Sequence, residues 1–138
     1  MLIISDTHIP ARARDLPGQL WEAVERADVV IHAGDWVVPA LLDELEDGAA
    51  RLVGVFGNND GAELRRRLPE VARLTLDGLL IFGHSHTPWD TVSPGGMRLL
   101  NPGSPTDRRR QPACTYLTAL ALAGGLSDVT LHGLPGRR

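Results

Sequence analysis

Four short clusters hold residue types that bind divalent metal ions: Asp6-Thr7-His8, Gly34-Asp35, Gly57-Asn58-Asn59-Asp60 and Gly83-His84-Ser85-His86. Carboxylates, imidazoles and an amide oxygen form a donor set that accepts several divalent metals and selects no single one. Ions held in this way polarise a phosphoryl group and make hydroxide from water near neutral pH. Asp6 and His8 are two apart, as are His84 and His86; on an extended segment that spacing points both side chains to one side. Asp35 and Asn58 each follow a glycine, which permits a sharp turn and a close backbone approach. One aspartate can bridge two ions through its two oxygens, and an asparagine oxygen is a neutral ligand. Each cluster taken singly reads equally well as a turn or polar loop. Their joint occurrence, each behind an apolar run, points to one site.

Those apolar runs are the elements that must position the clusters. Leu2 to Ser5, Asp28 to Ala33 and Arg51 to Phe56 read as short buried strands. Apolar residues at helical spacing from Leu16 to Arg26, with Pro17 near the start, predict a helix, and Pro39 to Leu45 before Gly48 predicts a second. This βαβαβ order implies parallel strands with right-handed crossovers. Open α/β sheets bind ligands beyond the carboxyl ends of their strands, where the clusters fall. The fourth run, Leu79 to Phe82, is expected to end at the same edge of the same sheet. Ala62 to Leu68 reads as one or two helical turns, Val71 to Leu76 with Asp77-Gly78 as a strand and tight turn, and Thr91-Val92 with Met97 to Leu100 as a hairpin. Thr115 to Leu122 and Val129 to His132 read as closing strands around Gly124-Gly125.

The 138 residues fit one domain spanning 1–138, and a hydrophobic fraction of 43% is ample for one core. A net charge of -3 gives no polyanion signal, so nucleic acid is not indicated as a partner. The single cysteine, Cys114, excludes an internal disulfide framework and suits a reducing cytosol. No secretory leader is read at Met1 to Ile4, and no segment approaches the roughly 20 apolar residues of a membrane span. The expected location is the cytoplasm, with no membrane partner.

The ordered set Asp6-x-His8, Gly34-Asp35, Gly57-Asn58-x-Asp60 and Gly83-His84-Ser85-His86, followed by Asn101-Pro102-Gly103-Ser104, resembles the calcineurin-like metallophosphoesterases. The likeness is strongest to their small bacterial and archaeal phosphodiesterase branch. It implies an α/β fold, a four-layer sandwich with a dinuclear metal site. It also implies a metal-dependent phosphoesterase, foremost a phosphodiesterase, acting on a small phosphate ester through a metal-activated hydroxide. Asp6, His8, Asp35 and His86 would hold one ion; Asp35, Asn58 and His84 would hold the second, with Asp35 bridging. Asn58 and His84 would also help to place the phosphate. Mn²⁺ is the ion implied first, with Fe, Zn, Ni or Mg as alternatives.

Two departures from the family pattern shape the expectation. Family members carry a strand-His-Gly-His motif and a helix between the Asn and Gly-His-x-His motifs; here Leu74 to Gly78 runs directly into Leu79 to His86. The sandwich is therefore expected to be shortened by one strand–helix segment and to lose one ligand of the second ion, leaving one tight and one weaker site. The shortening also leaves an apolar patch that a second copy could cover, making a homo-oligomer. The second departure is Asn59, at a position where many phosphatases of the superfamily have histidine; asparagine can donate a hydrogen bond but cannot act as a general acid. The alternative function is a non-catalytic binding or scaffold module on the same fold. Elsewhere, His32 is read as structural, His132 as a strand residue, Cys114 as a small apolar filler, and Trp36 as either rim or core. Asn101 and Ser104 are read as fixing their turn, and one arginine of Arg108-Arg109-Arg110 as able to reach a phosphate.

Overall fold

Apolar residues alternate along the first strand, and that alternation builds two cores. In the computed structural model, which describes residues 1–72, 78–122 and 125–135, β1 spans Leu2–Ile4. Leu2 and Ile4 face one way into a core with the helices, and Ile3 faces the other way, into a second core. Helix α1 (Gly18–Arg26) buries Leu20 and Val24, four apart on one face, and its chain enters at Pro17. Strand β2 (Val30–Ala33) follows, then α2 (Pro39–Gly48), which has Pro39 in its first turn and buries Leu41, Leu42 and Leu45. Strand β3 (Leu52–Val55) and the short α3 (Ala62–Arg67) complete the half that the βαβαβ pattern anticipated. The strands β1, β2 and β3 pair in parallel, with Leu2 opposite Val30 and Val30 opposite Leu52.

The second half supplies β4 (Leu79–Ile81), β5 (Trp89–Val92), β6 (Arg98–Asn101), β7 (Cys114–Leu122) and β8 (Gly125–Leu134). The chain forms two sheets, ordered β3-β2-β1-β7-β8 and β4-β6-β5. β7 returns antiparallel to β1 and β8 antiparallel to β7. The helices pack on one face of the larger sheet through Leu20, Val24, Leu41, Leu45 and Leu64. Ile3, Ile31, Leu100 and Leu117 form the core between the sheets. Among the described residues no helix covers the outer face of the smaller sheet, whose Leu80, Trp89 and Val92 are exposed. That is the architecture of a sandwich shortened by a strand–helix segment.

Two details differ from the sequence reading. The run before the histidine cluster is not a fourth strand of the parallel sheet: β4 lies in the other sheet, parallel to β6. The clusters therefore come from two sheets that pack over a common core, not from one. β8 begins at Gly125 rather than near Val129, since pairing with β7 extends from Leu122 opposite Gly125 to Cys114 opposite Leu134. Of the strand and turn read over 71–78, residues 73–77 lie outside the described residues, as does Gly124 of the closing turn. An apolar cavity of about 220 Å³, lined by Ile31, Val53, Val55, Leu79 and Ile81, opens between β2–β3 and β4. No helix among the described residues is long and apolar enough to cross a membrane.

Candidate metal centre

Five of the six predicted metal ligands have a left-handed backbone: Asp6 (φ 54°), His8 (φ 45°), Asp35 (φ 60°), His84 (φ 74°) and His86 (φ 55°). For non-glycine residues this region is sparsely populated, and such outliers gather at functional sites where the surroundings over-determine them. The clusters are therefore brought together by turning, not by the strand alternation that the two-apart spacing suggests. The turns also send the members of the second pair to different places. His86 reaches the Asp6–His8 cluster, whereas His84 reaches Asn58.

In the first group Asp6 and His86 are buried and His8 is half-buried. His8 Nε2 faces His86 Nε2 at 3.1 Å, and the rings stack with centroids 5.0 Å apart. Asp6 Oδ1 lies 3.6 Å from His86 Nε2 and 4.0 Å from His8 Nε2, and Asp35 Oδ2 lies 3.7 Å from His8 Nε2. His86 Nδ1 donates to the Asp107 carbonyl at 2.8 Å. A carbonyl only accepts, so the proton of a neutral His86 is on Nδ1 and the Nε2 lone pair points into the cluster. Asp6 accepts from the Ser5 hydroxyl at 2.7 Å and from the His84 N–H, at 2.9 and 2.8 Å to its two oxygens. Burial raises the Asp6 carboxyl above its ordinary range, against the lowering effect of Ser5 and His86. Burial likewise lowers the His8 imidazole, against the Asp35 charge, and so favours the neutral, metal-binding form.

Asp35 stands between this group and the next. Its Oδ1 accepts the Asn59 backbone N–H at 2.9 Å and its Oδ2 accepts the Asn59 side-chain amide at 2.7 Å. Asn59 thus grips the aspartate with both backbone and side chain. A Cβ at Gly57 would lie 2.1 Å from Asp35 Oδ1, and one at Gly83 would lie 2.8 Å from Asp6 Oδ2, so both glycines are there for the carboxylates beside them. Asn58 and His84 are exposed, and their Oδ1 and Nδ1 meet at 2.8 Å.

Around these groups lies a frame. Asp60 is buried and accepts the backbone N–H groups of Asp35 (3.0 Å), Val37 (2.7 Å) and Gly57 (2.7 Å). Asn101 donates to Gly83 O at 3.1 Å and Ser85 Oγ at 3.0 Å, and accepts from the Gly103 N–H at 2.9 Å. Ser104 Oγ donates to Asp6 O at 2.8 Å. The two residues read as turn-fixers therefore also tie the turn to the first and last clusters. His32 is fully buried, stacks on Trp36 with centroids 3.6 Å apart, and meets Thr7 Oγ1 at 3.0 Å. Burial pushes its imidazole down to about 3, so it is neutral and structural. Trp36 is core, its Nε1–H bonded to Val55 O at 2.8 Å. His132 lies on β8 against Tyr116 and Thr118, and Cys114 packs partly buried against the core. A cavity of about 380 Å³ opens beside His8 and Asn59, with Arg12, Val37, Asp107 and Arg109 on its other walls.

A profile of the calcineurin-like phosphoesterase superfamily domain matches residues 1–82. A probable metallophosphoesterase of Methanocaldococcus jannaschii is 35% identical over 148 residues, covering 88% of this chain and 73% of the relative. The chain belongs to the calcineurin-like phosphoesterase superfamily. Among solved structures, Vps29 of Chaetomium thermophilum superposes with a TM-score of 0.73 at 17% identity, covering 96% of this chain and 95% of that one. A structure described as a novel archaeal phosphodiesterase superposes with a TM-score of 0.71 at 18% identity, covering 96% and 98%. At these identities the likeness is one of fold, and it extends the metallophosphoesterase architecture over nearly the whole chain. The family is one of divalent-metal-dependent phosphoesterases.

The residues present suit such ions. Asp6 and Asp35 are both buried, and among the described residues neither has a guanidinium partner. Buried carboxylates unpaired by a permanent cation are costly, and a divalent ion among Asp6, His8 and His86 removes that cost. Sequence reasoning left Asp60, Asp107 and Ser5 without roles. Asp60 stands inside a noticed motif, three residues beyond Gly57, in the spacing of an aspartate that ties its own turn. Asp107 carries no such signal, because its partner His86 is remote in the chain.

Proposed function

We propose that the protein is a metal-dependent phosphodiesterase acting on small phosphate esters in the cytoplasm, with Mn²⁺ as its working ion. The observation that carries this reading is the facing pair of imidazole nitrogens, His8 Nε2 and His86 Nε2, 3.1 Å apart with the Asp6 and Asp35 carboxylates beside them. In this reading Asp6, His8, Asp35 and His86 hold one ion, and Asp35, Asn58 and His84 a second. Bound divalent ions supply Lewis acidity toward phosphoryl oxygens and lower the pKa of water. The chain's own groups do the rest. Asn59 holds the Asp35 carboxylate by both oxygens, so the residue shared between the ions keeps one orientation. The Asp107 carbonyl fixes the His86 tautomer with Nε2 inward. Exposed Asn58 and His84 face the solvent side, where a phosphate enters. The amide of Asn59 cannot protonate a leaving group, so the reading favours esters with a good leaving group, or water as the acid. Kinship with an archaeal metallophosphoesterase and the shared fold of an archaeal phosphodiesterase support it.

The test is hydrolysis of bis(p-nitrophenyl) phosphate by purified protein with Mn²⁺, abolished by chelator and restored by metal. A second reading, a non-catalytic binding module, draws support from the sparse Asn58–His84 pair and from the fold likeness to Vps29. Metal binding without chelator-sensitive turnover, across Mn²⁺, Ni²⁺, Co²⁺, Zn²⁺ and Mg²⁺, would favour it.

A further inference from the structure

The loop after the Asn-Pro-Gly-Ser turn places Arg109 and Arg110 on cavities that also hold His8 and His86. Asp107 is its hub. The Asp107 carbonyl accepts from His86 Nδ1, and its carboxylate lies 3.2 Å from Arg12 Nε and 3.2 Å from the Arg109 backbone N–H. One residue thereby fixes a metal-binding imidazole and two arginine-bearing segments relative to each other. Arg109 has a left-handed backbone, φ 46°, which turns its side chain out of the regular course of the loop. It lines the cavity that holds His8 and Asn59, and also a second cavity of about 490 Å³ with His86, Ser85, Thr87 and Arg110. Arg108 turns back on its own loop, donating to Gln111 O at 2.8 Å. Among the described residues the Arg109 and Arg110 guanidinium groups have no hydrogen-bond or ion-pair partner, whereas Arg12, Arg65, Arg67 and Arg98 are all engaged.

Free guanidinium groups beside a phosphate-handling centre suit a second oxyanion. In the phosphodiesterase reading Asn58, His84 and the bound ions would meet the scissile phosphate, which leaves the two arginines without a part in it. A guanidinium presents a planar fork that matches phosphate with two parallel charge-assisted hydrogen bonds. We propose that Arg109 and Arg110 form a subsite for a second, non-scissile phosphate, so that the preferred substrates are phosphodiesters that also carry a phosphomonoester. The proposal rests on the phosphodiesterase reading for the identity of the scissile group, but its own observable is binding.

The probes are thymidine 5′-monophosphate and thymidine 3′,5′-bisphosphate, titrated into Mn²⁺-loaded protein by calorimetry. The native chain is expected to bind the bisphosphate about tenfold more tightly or better, a difference of about 1.4 kcal/mol. R109A/R110A should bring the ratio of the two dissociation constants close to one, and R109K, which keeps charge but loses the fork, should recover part of it. R66A, which removes an exposed arginine on α3 that lines neither cavity, should leave the ratio as in the native chain. Equal affinity of the native chain for the two probes overturns the proposal, as does a preference that survives R109A/R110A. Hydrolysis of bis(p-nitrophenyl) phosphate is read separately. A preference that depends on the two arginines, in a chain without turnover, upholds the subsite and overturns the enzyme; turnover without the preference does the reverse.

Discussion

The two halves of the candidate metal centre are built to different standards. In the Asp6–His8–His86 half, Asp6 and His86 are buried and held from outside: Asp6 by Ser5 and the His84 N–H, His86 by the Asp107 carbonyl, the Asp6 carbonyl by Ser104. The Asn58–His84 half is exposed and consists of one contact of 2.8 Å. Asp35, which the proposed function shares between both, lies beside His8 and is gripped by Asn59. The difference shows how a preformed site arises. Ligands inherit rigidity from the hydrogen bonds behind them, and the exposed half has few of them.

The largest expected effect comes from breaking the shared residue. Asp35→Ala should lower kcat/KM on an aryl diester by well over the roughly 10–100-fold that loss of an outer hydrogen-bond partner costs a metal site, because it strips both halves at once. A variant that keeps a tenth of the native activity would remove Asp35 from the centre. Next comes the inequality itself. Titration of metal-free protein with Mn²⁺ should give one tight and one weak event. His84→Ala should abolish only the weak one and His8→Ala the tight one. Two events of equal affinity, or loss of both in His84→Ala, would refute the division.

A smaller effect concerns the frame behind the buried half. His32 in the unfolded chain titrates near the ordinary imidazole value of about 6.5. In the folded protein burial holds it down to about 3. Between those values the unfolded state binds the extra proton, so stability rises with pH across this window and is lost as pH falls from about 6.5 toward 3. The loss attributable to His32 is about 1.4 kcal/mol per pH unit once below the upper value. His32→Phe keeps the stack on Trp36 but cannot charge, so its denaturation midpoint should be flatter between pH 6.5 and 4.5 than that of the native chain. Parallel pH profiles would show that His32 is not the group refused its proton.

The smallest effect sharpens the role of backbone strain. Val37 lies on the cavity wall with φ 82°, held there by its N–H on Asp60 Oδ1 at 2.7 Å. A β-branched residue in that region costs about 1–3 kcal/mol, and glycine removes the strain at an entropic cost of about 0.5–1 kcal/mol. Val37→Gly should therefore raise stability slightly, by about 1 kcal/mol, read in urea denaturation with an unchanged m-value. A destabilised variant would show that the valine side chain contributes more by packing than it costs in strain.

Much of this protein is legible in one dimension. The periodicities that make β1 to β3 and the two longer helices are local properties of the chain, since alternation and helical spacing decide which face is apolar before any partner exists. The metal-binding residue types and the glycines that admit carboxylates are read from the order of residues alone, and the shortening from the resemblance to the family. What the tertiary structure decided is where the fourth cluster stands and what holds it. β4 belongs to the smaller sheet because its register is set by β6, about 20 residues onward, and no local pattern encodes a partner at that distance. The split of His84 from His86, the grip of Asn59 on Asp35, and the reach of Asp107 to His86 depend on left-handed turns and on contacts between residues remote in the chain. Spacing names the donors. Only packing can bring their lone pairs to one point, because each direction is fixed by neighbours from another part of the fold.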